Sequence, residues 1–435
     1  MGNWTLKTTS SVPDLNNKTV TVTCTPNDPK NHGAIKVDAA HPHTFVFEDG
    51  TRWYPMGYEA NWLWALDLAN ASGAPKTAAF VDKIAASGFN FVLVNAFAYD
   101  TTWRSGTTSA DDYGPPAMYA WAGSNGAPDH TRMNVTYWQR YDRMMDALYQ
   151  RGIVAHIYLK VYNKKVSWPA NGTPEDDMYY KYVIARYAAY PNVTWDLAKE
   201  SNNEPSVSYK TGRLKFIRAN DPYKRLLTTH TDNSPYNAGT YDGLLDYRSA
   251  QETGSWHPPM LQYLGQRQWP VINVEFAYEC GPGGINDKTY SHASLPKDVA
   301  RGAWEVCTTG AFCAYYYTYT AWDVVRPNDT PPGYAYMKNL RTFFEGTQYW
   351  LMKSSDNLVT AGGFCLANPG KEYIVYHGSS TSFSLTIAGA TGSLNTTWYE
   401  PFSGKTVSGG TVQNGSVTLN PPASLGTGPM VLHVW

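Results

Sequence analysis

Two glutamates each close a short apolar run: TWDLAKE (194–200) ends at Glu200, and VINVE (271–275) ends at Glu275. Carboxyl groups facing each other across a pocket suit the cleavage of a glycosidic bond. One protonates the leaving oxygen, and the other attacks the anomeric carbon or activates a water. A rival sits close by, since WDLAKESNNEPS (195–206) carries Glu204 as well as Glu200. Strand geometry separates the two. Side chains alternate along a strand, so Asp196, Ala198 and Glu200 share one face, and Val271, Asn273 and Glu275 share one face of theirs. Both Glu200 and Glu275 then point inward at strand ends. The same parity turns Lys199 outward with Trp195 and Leu197. Glu204 lies beyond the strand and before Pro205, where Ser201, Asn202 and Asn203 suit a helix N-cap and an acid suits the first turn.

Such carboxylates need a scaffold that brings distant strand ends together. In HTFVFEDGTRWYPMG (43–57) two β-like runs flank an Asp-Gly turn, a strong hairpin signal. From there helical and strand patterns alternate, as in FVDKIAASG (80–88) followed by FNFVLVNAF (89–97), and YWQRYDRMMDALYQRG (137–152) followed by IVAHIYLK (153–160). Counting WYPMG as the first strand gives eight β units, each followed by a helix or helix-like connection. The pattern predicts an α/β fold, a (β/α)8 TIM barrel over residues 43–352. A doubly wound open sheet is the alternative, but no G-x-G-x-x-G follows any strand. Residues 1–42 read as an N-terminal extended arm or short strand. From 353 to 435 helical spacing gives way to short alternating runs such as EYIVYHG and SFSLTIAG, which predict a C-terminal antiparallel β-sandwich.

Catalytic groups of such a barrel gather at the C-terminal ends of its strands. That rule selects further candidates for sugar contact: Glu59 after the first strand, Asn95 at the end of the second and His230 at the end of the fifth. Tyr247 in the sixth is a candidate donor to Glu275. Each also has a plain structural reading, as a packed or hydrogen-bonded core residue. Asp323 reads as a surface or loop acid. The long segments 101–133 and 232–243 would shape the cleft.

The 435 residues suffice for a large barrel and a smaller module, and the net charge of −1 argues against a nucleic-acid partner. Abundant Trp (16) and Tyr (33) with only 16% charged residues suit stacking on sugar rings, although a large aromatic core has the same composition. No apolar run reaches 18 residues, so no membrane span is expected. The segment MGNWTLKTTS lacks the apolar core of a signal peptide. N-x-S/T occurs at Asn3, Asn17, Asn70, Asn134, Asn171, Asn192, Asn328, Asn395 and Asn414. Chance would give roughly three or four, and such sites mark surface loops of secreted proteins. The expectation is a secreted protein whose leader is absent from this sequence. Five cysteines leave at least one unpaired within the chain and allow one or two disulfides. No metal-ligand spacing occurs, and no cofactor is expected.

A family resemblance adds to this reading. WDLAKE resembles the W-x-L-x-N-E that ends the fourth strand of clan A glycoside hydrolases, and counting from the Trp places the acid/base at Glu200. The NEP at 203–205 mimics the same motif. PVINVEFAYE (270–279) looks like the nucleophile strand of apiosidase-like barrel hydrolases, PV-x-N-x-E-x-x-YE, which places the nucleophile at Glu275. TWYEPFSGKTV and LNPPASLGTGPMVLHVW resemble the domain labelled collagen-binding that follows such barrels. The resemblance implies an aromatic sugar platform at Trp322 and a loop-orienting role for Glu279. Lys199 replaces the Asn that contacts sugar in many clan members, so Asn202 or Asn203 would have to substitute. An inward Lys199 would lower the pKa of Glu200, which is wrong for a general acid.

These readings predict a secreted retaining glycoside hydrolase that acts on a plant or microbial poly- or oligosaccharide. Its pH profile would be bell-shaped, with an acidic to near-neutral optimum. The alternative is a non-catalytic carbohydrate-binding or adhesive protein on a barrel scaffold. A polysaccharide lyase would need a Tyr/His or Lys base in place of paired carboxylates.

Overall fold

The computed structural model describes residues 1–27, 31–101, 112–287, 292–320 and 322–435. Eight parallel strands form the central sheet: β1 (Met56–Glu59), β2 (Phe91–Asn95), β3 (Val154–Val161), β4 (Val193–Lys199), β5 (Leu227–Thr228), β6 (Arg248–Ala250), β7 (Val271–Asn273) and β8 (Phe312–Tyr317). Their spatial order is β5-β4-β3-β2-β1-β8-β7-β6. A parallel bridge between His230 and Ser249 joins the two ends and closes the barrel, so the open-sheet alternative falls. Every residue of β2 and β3 is buried. Strands covered on both faces read as continuous apolar runs for this reason.

The outer layer is α1 (Pro75–Ala86), α2 (Val135–Gln150), α3 (Pro174–Tyr187), α4 (Val207–Asn220), α5 (Asn233–Asn237), α6 (His257–Gln266), α7 (Pro296–Cys307) and α8 (Gly333–Glu345). Gly88 (φ 88) stops α1 in the left-handed region, and Gly152 (φ 64) does the same just past α2. Of the long segment 101–133, residues 102–111 lie outside the described residues. Its remainder carries a hairpin of Trp121–Ser124 with Ala127–Met133.

The N-terminal arm is a two-stranded antiparallel ribbon, Gly2–Lys7 with Thr19–Cys24, and all of its strand residues are exposed. The expected hairpin around Asp49 and Gly50 forms, with Phe45–Phe47 paired to Arg52–Trp53. It places Phe45 against Trp53, Tyr247 and Phe312, plugging the N-terminal end of the barrel.

Beyond the barrel, six antiparallel strands from Lys353–Ser354 to Met430–Val434 form a sheet, and Phe383–Ile387 pairs with Gly415–Leu419 in a ribbon. Both contribute to one apolar cluster that includes Val375, Leu385, Trp398 and Leu432. Trp304 of α7 stacks on Tyr376 of this sheet at 6.1 Å, joining it to the barrel.

All five cysteines are free thiols. Cys24 is exposed and the other four are buried, and the Sγ atoms of Cys307 and Cys313 lie 4.0 Å apart. None of the one or two disulfides that the count allows is therefore formed. Asn192 fits poorly with the surface reading of its glycosylation motif, because it is buried and its Nδ2 donates to the carbonyl of Ile153 at 2.7 Å. Among the described residues no helix is long and apolar enough to cross a membrane.

Candidate active site

The C-terminal end of the barrel gathers Glu59, Lys199, Glu200, His230 and Glu275. Glu275 follows β7 and is 2% exposed. Its Oε1 accepts from the Tyr278 hydroxyl and its Oε2 from the Lys199 ammonium. His230 Nε2 lies 3.6 Å from the same Oε2. The loop before Glu275 is pinned by Asn273, whose amide clasps the backbone of Glu252 through both its oxygen and its nitrogen.

Glu200 ends β4 in left-handed backbone (φ 56) and opens a 3-10 turn over Ser201–Asn203. Backbone N–H groups of Ser201 and Asn202 donate to the carbonyls of His230 and Thr231, so the turn rides on the chain after β5. Lys210 of α4 braces it from behind, donating to the Ser201 carbonyl and pairing with Asp232 at 2.6 Å. Burial, then the charge of Glu275, holds the Glu200 carboxyl above the usual range. Lys199 opposes them.

Lys199 corrects the parity reading. It points into the barrel and bonds both Glu59 Oε1 and Glu275 Oε2. The reason lies three residues earlier. Asp196 Oδ1 accepts from the backbone N–H of both Ala198 and His230, so β4 leaves its ladder with β5 after Asp196 while it stays paired with β3 as far as Lys199. The inward Lys199 does not spoil a general acid at Glu200, because burial and Glu275 outweigh it. Burial opposes the Lys199 charge, but Glu275 and Glu59 outweigh burial and hold the ammonium above its ordinary range. Glu59 is fully buried, and burial pushes its carboxyl up to about 8 against the pull of Lys199.

Glu204 stands apart. Its Oε2 accepts from Asn171 Nδ2 at 2.8 Å and its Oε1 from the Ser206 N–H at 2.9 Å. Ser206, rather than Ser201–Asn203, is the N-cap of α4. Asn202 and Asn203 are exposed on the 3-10 turn.

The remaining candidates divide. Neither ring nitrogen of His230 and neither amide atom of Asn95 has a hydrogen-bond partner among the described residues, although all are buried. Burial, followed by Lys199 and His156, keeps His230 neutral. Trp322 (φ 51) packs against Tyr278 and Tyr316 with the Lys164 ammonium 4.3 Å from its ring centre. Tyr247 is not a donor to Glu275. It precedes β6, at the opposite end of the barrel, and its hydroxyl pairs with His156 Nδ1 at 2.8 Å. Asp323 is buried rather than at the surface. Glu279 is buried and accepts from the N–H of Gly333 at the start of α8. A Cβ at Gly333 would meet Glu279 Oε2 at 1.9 Å, so only glycine permits this approach. Burial pushes Glu279 up to about 7.

Three contributors escaped the sequence reading. Tyr278 lies three residues past Glu275 within the quoted FAYE. Gln251 acts on the Glu200 carboxyl, lowering its proton affinity against burial, and takes a 3.0 Å bond from Thr231, and it ends the sixth β-like run. Asn61, just past Glu59, donates to the Tyr316 hydroxyl at 3.0 Å and keeps its own oxygen unpartnered among the described residues. No group of His, Cys, Asp and Glu among the described residues could hold a metal ion.

Comparison with known proteins bears on the family and the fold. The family model described as apiosidase-like, catalytic domain, matches residues 42–359. A candidate glycoside hydrolase of Bacteroides vulgatus superposes with a TM-score of 0.76 at 20% identity, covering 100% of this chain and 88% of that one. A glycoside hydrolase family 5 structure from the same organism gives 0.69 at 17% identity, with 94% of each chain covered. A family 5 mannosidase of Rhizomucor miehei gives 0.51 at 13%, covering 72% of this chain and 98% of that one. At these identities the likeness is one of fold. No match is found among curated proteins.

Proposed function

The chain belongs to the apiosidase-like family and so to the glycoside hydrolases, and we propose that it is a secreted, retaining enzyme acting on a plant or microbial poly- or oligosaccharide. The observation that carries this reading is the contrast between two neighbouring carboxyls. Glu275 is held on both oxygens by donors, Tyr278 and Lys199, which fix the position of the group that attacks. Burial and the Glu275 charge raise the Glu200 carboxyl above its ordinary range, which favours the acid form that a general acid uses.

Glu275 attacks the anomeric carbon while the proton of Glu200 passes to the departing oxygen. A neutral glycosyl ester and the Glu200 carboxylate result. Water then gives its proton to Glu200, its oxygen bonds to the anomeric carbon, and the ester bond breaks to restore Glu275. The buried polar atoms of Glu59, Asn61, Asn95 and His230 that lack partners among the described residues are suited to sugar hydroxyls, and Trp322 to a sugar face. Asn203 would approach only a substrate reaching the exposed turn.

The test is a screen of aryl glycosides and polysaccharides, with NMR of the first anomer released. Release with retained configuration, nearly abolished by Glu200→Gln and by Glu275→Gln, is the expected result. An inverted first product would make Glu275 a base. Wild-type turnover in either variant would refute the assignment, and sugar binding without turnover would favour the non-catalytic reading. The expected secretion is checked by glycan analysis of the protein from its native source.

A further inference from the structure

Lys199 reaches from the end of β4 to carboxyls on two other elements, Glu59 at the end of β1 and Glu275 after β7. All three side chains are buried. An ammonium withdrawn from water is tolerated only with a compensating charge and good hydrogen bonds. Double displacement disturbs that balance. When Glu275 becomes a glycosyl ester its negative charge is gone, and a lysine paired to Glu275 alone would be stranded. Glu59 is a second partner that the chemistry does not consume: burial and the Glu275 charge favour its acid form in the free enzyme, and the ester removes the second of these causes just when Lys199 needs a counter-charge.

Resting on the glycosidase reading, we propose that Lys199 and Glu59 form a positioning couple that keeps a positive charge beside Glu275 through both steps, easing breakdown of the glycosyl-enzyme. The charge acts in opposite senses on the two steps. It stabilises the free carboxylate, which slows attack. It also stabilises the carboxylate that departs when water's oxygen bonds to the anomeric carbon and the ester bond breaks. A residue that only supported the fold would not divide the steps in this way.

The experiment uses the full chain with 2,4-dinitrophenyl glycosides of common pentoses and hexoses. With so good a leaving group, kcat reports breakdown of the intermediate and kcat/KM reports its formation. Lys199→Met should lower kcat by about tenfold or more while kcat/KM holds or rises, and intact mass should show protein carrying one glycosyl group at steady state. Glu59→Gln should shift the same split in the same direction by a smaller factor, and it decides the matter if Lys199→Met does not fold. Equal losses in kcat and kcat/KM without a trapped intermediate would overturn the couple alone, as would unchanged kinetics. A wild type that cleaves none of these glycosides would overturn the glycosidase reading and the couple with it.

Discussion

The two ends of one barrel are built to different rules. At the N-terminal end Tyr54 stacks on Phe344 at 5.2 Å and meets Phe312 and Tyr349 edge-on. The polar groups just above are paired in series, Tyr247 to His156 and His156 to Asp196 at 3.1 Å. Among the described residues, the buried polar atoms without partners at the N-terminal end belong to aromatic side chains, Trp53 Nε1 and the Tyr54 and Tyr349 hydroxyls, whereas at the C-terminal end they belong to the carboxyl, amide and imidazole groups of Glu59, Asn61, Asn95 and His230. Glu200, Thr231 and Trp322, just past the fourth, fifth and eighth strands, sit in left-handed backbone that non-glycine residues seldom adopt. Unsatisfied polar atoms and backbone strain both cost stability and cluster where function requires them. The difference teaches that the same strands are optimised for packing at one end and held ready for a polar ligand at the other.

The contrast can be broken most decisively at the carboxyl pair. Replacing Glu200 or Glu275 should cut turnover by about 10²–10⁴-fold. Glu200→Gln should nonetheless unfold at or above the wild-type temperature by calorimetry. The folded state holds the Glu200 carboxyl above its unfolded value of 4.5, so the stability gained by the amide grows as pH rises past 4.5. Activity in the wild type should fall as pH rises through that raised value, because the acid form is lost.

Glu279 sharpens the comparison next, because it is unsatisfied in part yet faces α8. Its neutral form is the one the fold prefers. The stability it contributes is fully present below 4.5 and lost as pH rises through about 7. Glu279→Gln should therefore gain on the order of 3 kcal/mol above that window and nothing below it, with kcat unchanged. Melting curves across pH would show this, and a flat difference would refute it.

Smaller effects follow. Tyr278→Phe removes one donor from Glu275 and should lower kcat about tenfold with little change in melting temperature. Tyr247→Phe should do the reverse, costing about 1 kcal/mol in chemical denaturation with kcat unaltered. A catalytic defect in Tyr247→Phe would mean that the two ends are not independent.

Much of the fold was legible because burial on both faces leaves a long apolar run. The second and third strands have it in full. The fifth and sixth span only Leu227–Thr228 and Arg248–Ala250, too short for periodicity to mark an edge. Tyr247 was misplaced for that reason. It stands just before the sixth strand and so at the wrong end. The two glutamates were legible as acids closing strands. Lys199 was not, because beyond Asp196 the strand is paired on the β3 side alone and an aspartate side chain stands in on the other. Nor was Tyr278, which lies past the seventh strand on a segment that turns to pair again with Tyr316 of β8.

The seam between β5 and β6 has its own consequence. Where other neighbours share a ladder, these strands share a single bridge, His230 to Ser249. Side chains fill in, with Asp246 Oδ2 accepting the Leu227 N–H at 2.7 Å and Thr228 Oγ1 donating to the Tyr247 carbonyl at 2.8 Å. A cylinder with one thin stave joint breathes there first. In heavy water the amides along this joint would take up deuterium ahead of those in β2 and β3. The joint lies beneath His230 and Gln251, so the wall beside Glu200 and Glu275 is also the one with the most freedom to yield as a ligand is drawn in and released.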